Sequence, residues 1–178
     1  MDLRIFMALL IVLIVVSTFS IYLVLRDLTT QQKVPYISPS TIDQKLGGQW
    51  RLDVVENLKY PDTINPPNEI LSLLENSSES AFFILYVGDE SNLSMFIYKY
   101  QNSSSLSKLV LTIQQIYNKL GWRTQDLNGS ITGFTVQSND SQFLYGAYHN
   151  YVVVVYLNGV VYPNESVEVA NLESHVLT

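Results

Sequence analysis

The sequence SLSKLVLTIQQIYNKL, residues 105–120, decides the fold class of the domain that contains it. Its apolar side chains recur three, four and seven positions apart, which places them in one stripe along a helix of 3.6 residues per turn. Gly121 follows directly and is typical of a helix end. The pattern predicts an amphipathic helix with a buried stripe formed by Leu106, Leu109, Val110, Ile113, Ile116, Tyr117 and Leu120.

Segments rich in Val, Ile, Phe and Tyr lie on both sides of this helix and are typical of β-strands. They cover residues 49–55, 81–87, 93–100, 130–138, 142–148 and 151–157. The apolar run Val152–Val155 predicts a central strand covered on both faces. Asn158-Gly159 predicts a two-residue turn, with residues 160–162 returning as a short strand. Shorter helices are predicted at 69–75 and 165–176.

These segments together predict the fold class α+β. We expect one antiparallel sheet of five to seven strands, with the amphipathic helix packed on one of its faces.

An uncharged apolar run, Ile5–Leu25, lies between Arg4 and Arg26 near the start of the chain. About 20 helical residues cross a bilayer, so the run predicts a transmembrane signal-anchor helix. A cleaved secretory signal, cut near Ser20, is the alternative. The predicted organisation is a short cytoplasmic N-terminus at 1–4, the membrane helix at 5–25, a stalk at 26–48 and an extracytoplasmic domain at 49–178.

Six Asn-x-Ser sequons lie after the apolar run, against about two expected by chance. Flanking Lys and Arg nearly balance across the run, so the sequons decide the predicted orientation. Glycosylation occurs on exported surface loops, which predicts a glycoprotein in the cell membrane with its C-terminal domain outside. The candidate sites are Asn76, Asn92, Asn102, Asn128, Asn139 and Asn164. A Ser- and Asn-rich surface with accidental matches is the alternative.

Composition narrows the classes of function. Residues 27–178 contain 8 Lys or Arg against 15 Asp or Glu, a net charge of −7. Such a surface repels phosphate backbones, so no nucleic-acid partner is expected. The chain has no cysteine, which excludes disulfides, thiolate metal sites and cysteine nucleophiles. Its few charges and many Ser, Asn, Gln and Tyr resemble, in composition alone, exported envelope proteins of thermoacidophilic archaea and their viruses.

Residues able to carry chemistry are scattered. His149 and His175 have no partner at metal-ligand spacing, and both are expected to be exposed. The pair Asp89-Glu90 is explained by turn geometry. Trp50 and Trp122, with the many tyrosines, suggest either an aromatic surface for glycans or partner proteins, or core residues, and the core is favoured for Trp122. The sequence therefore predicts no catalytic residue, no metal site and no cofactor.

The leading hypothesis is a single-pass, membrane-anchored protein that is not an enzyme. Its extracytoplasmic domain would bind or assemble at the cell envelope or on a virion membrane, with envelope proteins as partners. The alternative is an accessory subunit of a membrane complex, such as a transporter or respiratory assembly, joined through the membrane helix.

Overall fold

The structure, a computed structural model, describes residues 34–57, 68–138, 140–159, 162 and 164–177. The predicted N-terminus 1–4 and membrane segment 5–25 lie outside these residues, so both stay predictions. Within the described ranges, no helix is long and apolar enough to cross a membrane.

One antiparallel sheet of seven strands forms the centre of the domain, in the order β1-β2-β3-β7-β6-β5-β4. The pairing of β3 with β7 joins two meanders, β1 to β3 and β4 to β7. The α+β class and the upper end of the predicted strand range are confirmed. The strands are β1 Arg51–Glu56, β2 Ser78–Val87, β3 Ser91–Tyr100, β4 Thr124–Leu127, β5 Thr132–Gln137, β6 Ser141–Tyr148 and β7 Tyr151–Gly159.

Four helices are described: α1 Pro39–Leu46, α2 Asn68–Glu75, α3 Leu106–Lys119 and α4 Glu165–Val176. The long predicted helix is α3, and its stripe is buried at Leu106, Val110, Ile113, Ile116 and Tyr117. Gly121 has φ +85°, a conformation that suits glycine at a helix end.

The first face of the sheet is covered by α2 and α3. Ile70 and Leu74 of α2 pack with the α3 stripe over inward-facing strand residues, several of them aromatic. Phe83 and Phe96, on neighbouring strands, have ring centroids 5.0 Å apart. This face therefore holds an aliphatic and aromatic core.

The second face is covered by α1 and α4. Ile42 of α1 and Val169 and Ala170 of α4 are buried against it, together with Ile37. The inward side chains of β7 alternate between the two faces, with Val152 and Val154 on the first and Val153 and Val155 on the second. The predicted central strand is thus confirmed, but the expected packing of one helix on one face is corrected to helices on both faces.

The segment expected to be a stalk, 26–48, contains α1. Proline usually stops regular structure, but Pro39 stands at the start of α1. A proline there loses nothing, because the first amides of a helix have no partner within the helix. The Ser38 side chain accepts a hydrogen bond from the Thr41 N–H and so caps the helix. Burial of Ile42 then makes α1 part of the packed domain.

The prediction of a turn at Asn158-Gly159 is wrong, because both residues continue β7 and pair with Asn92 and Ser91 of β3. Glycine is required at 159 for a different reason. A Cβ there would lie 2.2 Å from the Glu90 carbonyl oxygen, so a side chain would collide with the β2–β3 loop. The expected return strand at 160–162 falls mostly outside the described residues. The short edge strand β4 was not predicted.

Candidate functional site

A cleft of about 290 Å³ opens at one end of the sheet. Three parts of the chain meet there: the end of α1 with the link to β1, the β2–β3 loop, and the start of α4. The residues that give the cleft its character are two glycines, two aromatic residues and three carboxylates: Gly47, Gly48, Trp50, Tyr162, Asp89, Glu90 and Glu165.

The wall formed by α1 depends on two glycines. Gly47 and Gly48 have φ values of +78° and +77°, which other residues rarely adopt. The Gly47 N–H donates to the Asp43 carbonyl at 2.9 Å and closes the helix. A Cβ built on Gly47 would have no atom within 4 Å, so glycine is favoured there by its positive φ and not by lack of space.

Trp50 is fixed at both its backbone and its side chain. Its N–H donates to Asp43 Oδ1 at 2.6 Å, and its Nε1–H donates to the Gly47 carbonyl at 2.9 Å. The ring also packs against Gly88, where a Cβ would lie 3.3 Å from ring carbons. An indole held in this way is preorganised to receive a ligand.

The cleft is acidic. Asp89, Glu90 and Glu165 line it, and no Lys or Arg is among its lining residues. The two salt bridges found among the described residues, Lys45–Glu168 and Arg51–Asp53, leave all three of these carboxylates out. Glu165 accepts a hydrogen bond from the Tyr162 N–H at 2.8 Å, which orders the chain entering α4. Anionic ligands are disfavoured in such a site.

The aromatic residues complement these carboxylates. Tyr162 is 64% exposed, and Trp50 is half-buried. Aromatic faces pack on apolar surface, while carboxylates accept hydrogen bonds from hydroxyl groups. This combination suits a ligand that carries hydroxyl groups on an otherwise apolar ring. Two smaller depressions, each about 180 Å³, lack aromatic side chains in their linings.

Five of the six predicted glycosylation sites lie on described surface. Asn76, Asn92, Asn102, Asn128 and Asn164 are all exposed, whereas Asn139 lies outside the described residues. Asn92 and Asn164 each directly neighbour a residue of the cleft, Ser91 and Glu165 respectively. Exposure makes these asparagines accessible, and glycosylation itself stays a prediction.

Neither histidine is among the residues that line the cleft. His149 sits at the β6–β7 turn with φ +51°, and His175 lies in the last turn of α4; both are exposed. Within the described part of the chain, no three His, Asp or Glu residues are grouped closely enough to hold a metal ion.

The expectation that Trp122 fills the core is wrong, because its side chain is 43% exposed. The chain reverses at Gly121, and Trp122 then precedes the edge strand β4, where neighbours lie on one side only. Its ring meets Tyr117 edge-on, with centroids 6.4 Å apart. The two tryptophans therefore do not form one aromatic surface.

Sequence reasoning identified parts of the cleft but did not bring them together. Trp50 was considered for glycan binding, while Asp89 and Glu90 were assigned to a turn. Tyr162 and Glu165 are more than 70 positions further along the chain. The one local signal was the pair Gly47-Gly48 two positions before Trp50, because both glycines adopt positive φ values that open a turn beside the tryptophan.

No family model matches the sequence, and the search of curated proteins finds no match. Two solved structures are similar to this chain. The GTP binding regulator TM1622 from Thermotoga maritima has a TM-score of only 0.35 at 14% identity, over 79% of this chain and 84% of that one. The extracellular domain of PknH from Mycobacterium tuberculosis superposes with a TM-score of 0.56 at 11% identity, over 78% of this chain and 90% of that domain. The chain therefore shares a fold with the extracellular domain of PknH.

Proposed function

We propose that this chain is a single-pass, membrane-anchored protein whose C-terminal domain lies outside the cytoplasm and binds a ligand without catalysis. Its role is binding or assembly at the cell envelope or on a virion membrane. The apolar run 5–25, the exposed sequon asparagines and the fold shared with an extracellular domain all support this location.

The cleft carries the proposal of a binding role. It combines the fixed indole of Trp50 and the exposed ring of Tyr162 with three carboxylates. We propose that the ligand is a neutral glycan. Its ring would pack on the aromatic side chains, and its hydroxyl groups would donate hydrogen bonds to the carboxylates.

The topology is tested by protease treatment of intact cells that express a C-terminally tagged chain. The expected result is digestion of residues 34–178 without cell lysis. Removal of N-linked glycans should also shift the mass of the protein, and combined Asn→Gln changes at the five exposed sequon sites should abolish most of that shift. A domain fully protected in intact cells would contradict the proposed location.

Ligand binding is tested by screening the full-length protein in mild detergent against neutral oligosaccharides, with cationic amines screened in parallel. Trp50→Ala should weaken sugar binding at least tenfold, because stacking on the indole is lost. Trp122→Ala is the matched control and should leave binding unchanged. Binding of amines without binding of sugars would contradict the ligand class, and equal weakening by both variants would contradict the site.

The accessory-subunit alternative is supported by the apolar run 5–25, whose small residues Ala8, Ser17, Thr18 and Ser20 would allow close approach of a partner helix. Recovery of one stoichiometric membrane protein, lost when residues 5–25 are replaced by an unrelated membrane span, would favour this alternative over glycan binding.

A further inference from the structure

Helix α4 turns polar side chains toward the core of the second face. Ser166, Glu173 and Ser174 are buried together with Val169 and Ala170. Glu173 has no solvent exposure, and neither of its carboxyl oxygens has a hydrogen-bond partner among the described residues. The Ser166 hydroxyl is unpartnered in the same way. Burial of a polar group without a hydrogen bond lowers the stability of the fold, and burial of a charged carboxylate lowers it far more than burial of a neutral one.

Among the described residues, the groups that face Glu173 offer it no cation. Tyr86 of β2 is one neighbour, but its hydroxyl already donates to the Ile37 carbonyl at 2.7 Å. Tyr36, which precedes α1, is a second phenol on this side. A phenol carries no positive charge, so neither of these side chains compensates an ionised carboxylate.

The other described elements that pack on α4 supply no countercharge either. Strands β6 and β7 contain no charged residue, and their titratable groups are tyrosines. In α1, Lys45 is paired at the surface with Glu168 at 2.9 Å, and Asp43 accepts the Trp50 N–H. Burial accordingly raises the pKa of Glu173 from its usual 4.5 to about 8.

Helix α4 can leave this position without breaking any strand pairing, although Val169 and Ala170 then lose their buried packing. It is not a member of the hydrogen-bonded sheet. Its side-chain links to the rest of the domain are few: the Ser166 N–H donates to Gln142 Oε1, Ser130 donates to Asn171, and Glu168 pairs with Lys45. An ionised Glu173 reaches water if α4 separates from the second face, whereas no strand pairing has to break.

We propose that α4 is a pH-dependent clamp on the second face of the sheet, docked while Glu173 is protonated and released when that carboxyl ionises. Glu165 begins α4 and lines the cleft, so release also removes one wall of the cleft. That consequence rests on the proposed binding function, but the clamp itself does not.

The test is hydrogen exchange of the full chain in mild detergent, comparing wild type with Glu173→Gln at the same pH. Intrinsic exchange rates then cancel, and the ratio reports the opening of α4. The ratio for α4 amides should be close to one at pH 4 and should rise to about a hundredfold at pH 7, because the ionised carboxylate favours the open state. Amides of β3 and β7 should show a much smaller rise.

Two further variants keep the test decisive. Glu173→Met replaces the carboxyl by an apolar side chain of similar length and should abolish the pH dependence even if glutamine is poorly accommodated. Glu168→Gln removes an exposed carboxylate from the same helix, and this variant should keep the pH dependence of α4 exchange. A ratio that does not change with pH, or α4 and β7 amides that open together, would overturn the clamp. Glycan binding that is unaffected by α4 opening would contradict only the effect on the cleft.

Discussion

Two helices cover each face of the sheet, but the two faces differ in how they treat buried polar groups. On the first face, the Tyr100 hydroxyl donates to the Leu74 carbonyl at 2.8 Å, and the Tyr117 and Tyr145 hydroxyls are 2.8 Å apart in a mutual hydrogen bond. On the second face, Tyr86 is bonded in the same manner, yet the Glu173 carboxyl and the Ser166 hydroxyl have no hydrogen-bond partner among the residues that the structure describes.

This difference coincides with the position of the cleft. The second face carries α1 and α4, whose ends form two walls of the cleft, while α2 and α3 of the first face contribute nothing to it. Proteins commonly retain unfavourable local interactions near functional sites, at the expense of stability. We infer that the first face supplies most of the stability and that the second face is the adjustable one. The following changes test that contrast.

The largest expected effect is the pH dependence that Glu173 gives to folding. Because its pKa is higher in the folded than in the unfolded chain, its contribution to stability is complete below pH 4.5 and is lost as the pH rises to about 8. The loss in unfolding free energy is on the order of 5 kcal/mol. Chemical denaturation of wild type and Glu173→Gln from pH 4 to 9 measures it as the changing difference between the two proteins.

That prediction places the pH dependence on the second face alone. If the difference between wild type and Glu173→Gln is constant across the whole range, the carboxyl does not titrate on folding. The second face would then not differ from the first in the pH dependence of its stability.

The next effect is the loss of packing on the first face. Ile113 of α3 is fully buried, so Ile113→Ala should lower the unfolding free energy by about 3 kcal/mol through lost burial and the cavity left behind. Leu111→Ala, at a 55% exposed position of the same helix, is the matched control and should cost less than about 0.5 kcal/mol. Equal costs would mean that α3 does not pack through the stripe described here.

A smaller effect separates the faces through two matched tyrosines. Burial raises the pKa of both Tyr100 and Tyr86, with Glu173 adding to the rise at Tyr86, so both phenols remain neutral donors. Tyr100→Phe and Tyr86→Phe each leave a carbonyl unpaired and should each cost about 1–2 kcal/mol in equilibrium unfolding.

The two phenylalanine variants should differ in where they act. Tyr86→Phe should increase hydrogen exchange around Ile37 and α1, whereas Tyr100→Phe should do so at α2, since each hydroxyl bonds to that segment. The same exchange pattern in both variants would show that the two faces open as one unit.

The smallest effect is expected from the ion pair between α1 and α4. Lys45 and Glu168 are 46% and 44% exposed, so water and salt screen their attraction. Lys45→Met should lower stability by about 0.5 kcal/mol at low ionic strength and by less in 1 M salt. A cost above 2 kcal/mol would show that this pair, rather than apolar packing, holds α4 on the second face.

Local patterns predicted most elements of the fold. The stripe of α3, the strand segments and the exact range of α4 followed from periodicity and turn residues, because those signals act over a few neighbouring positions. The short edge strand β4 carries no such signal, since Thr124–Leu127 is mostly polar and has one pairing neighbour, β5. Helix α1 was not predicted, because a proline within a short segment usually indicates a break, although Pro39 occupies the first helical position, where proline is tolerated.

The candidate site was largely beyond such patterns. Trp50, Glu90 and Glu165 come from three distant segments, and only the strand order brings them to one end of the sheet. The burial of Glu173 was equally hidden, because a glutamate on a short helix is usually solvent-exposed.

By itself, the sequence determined the α+β class, the helix α3, the central position of β7 and the acidic, cysteine-free character of the chain. Each of these depends on side chains close together in sequence or on composition. Only the tertiary structure decided that β3 pairs with β7, that helices cover both faces, and that a cleft and an unpartnered carboxyl lie on the side of α4. These features depend on contacts between distant segments, whose pairing is selected by the packing of the whole domain.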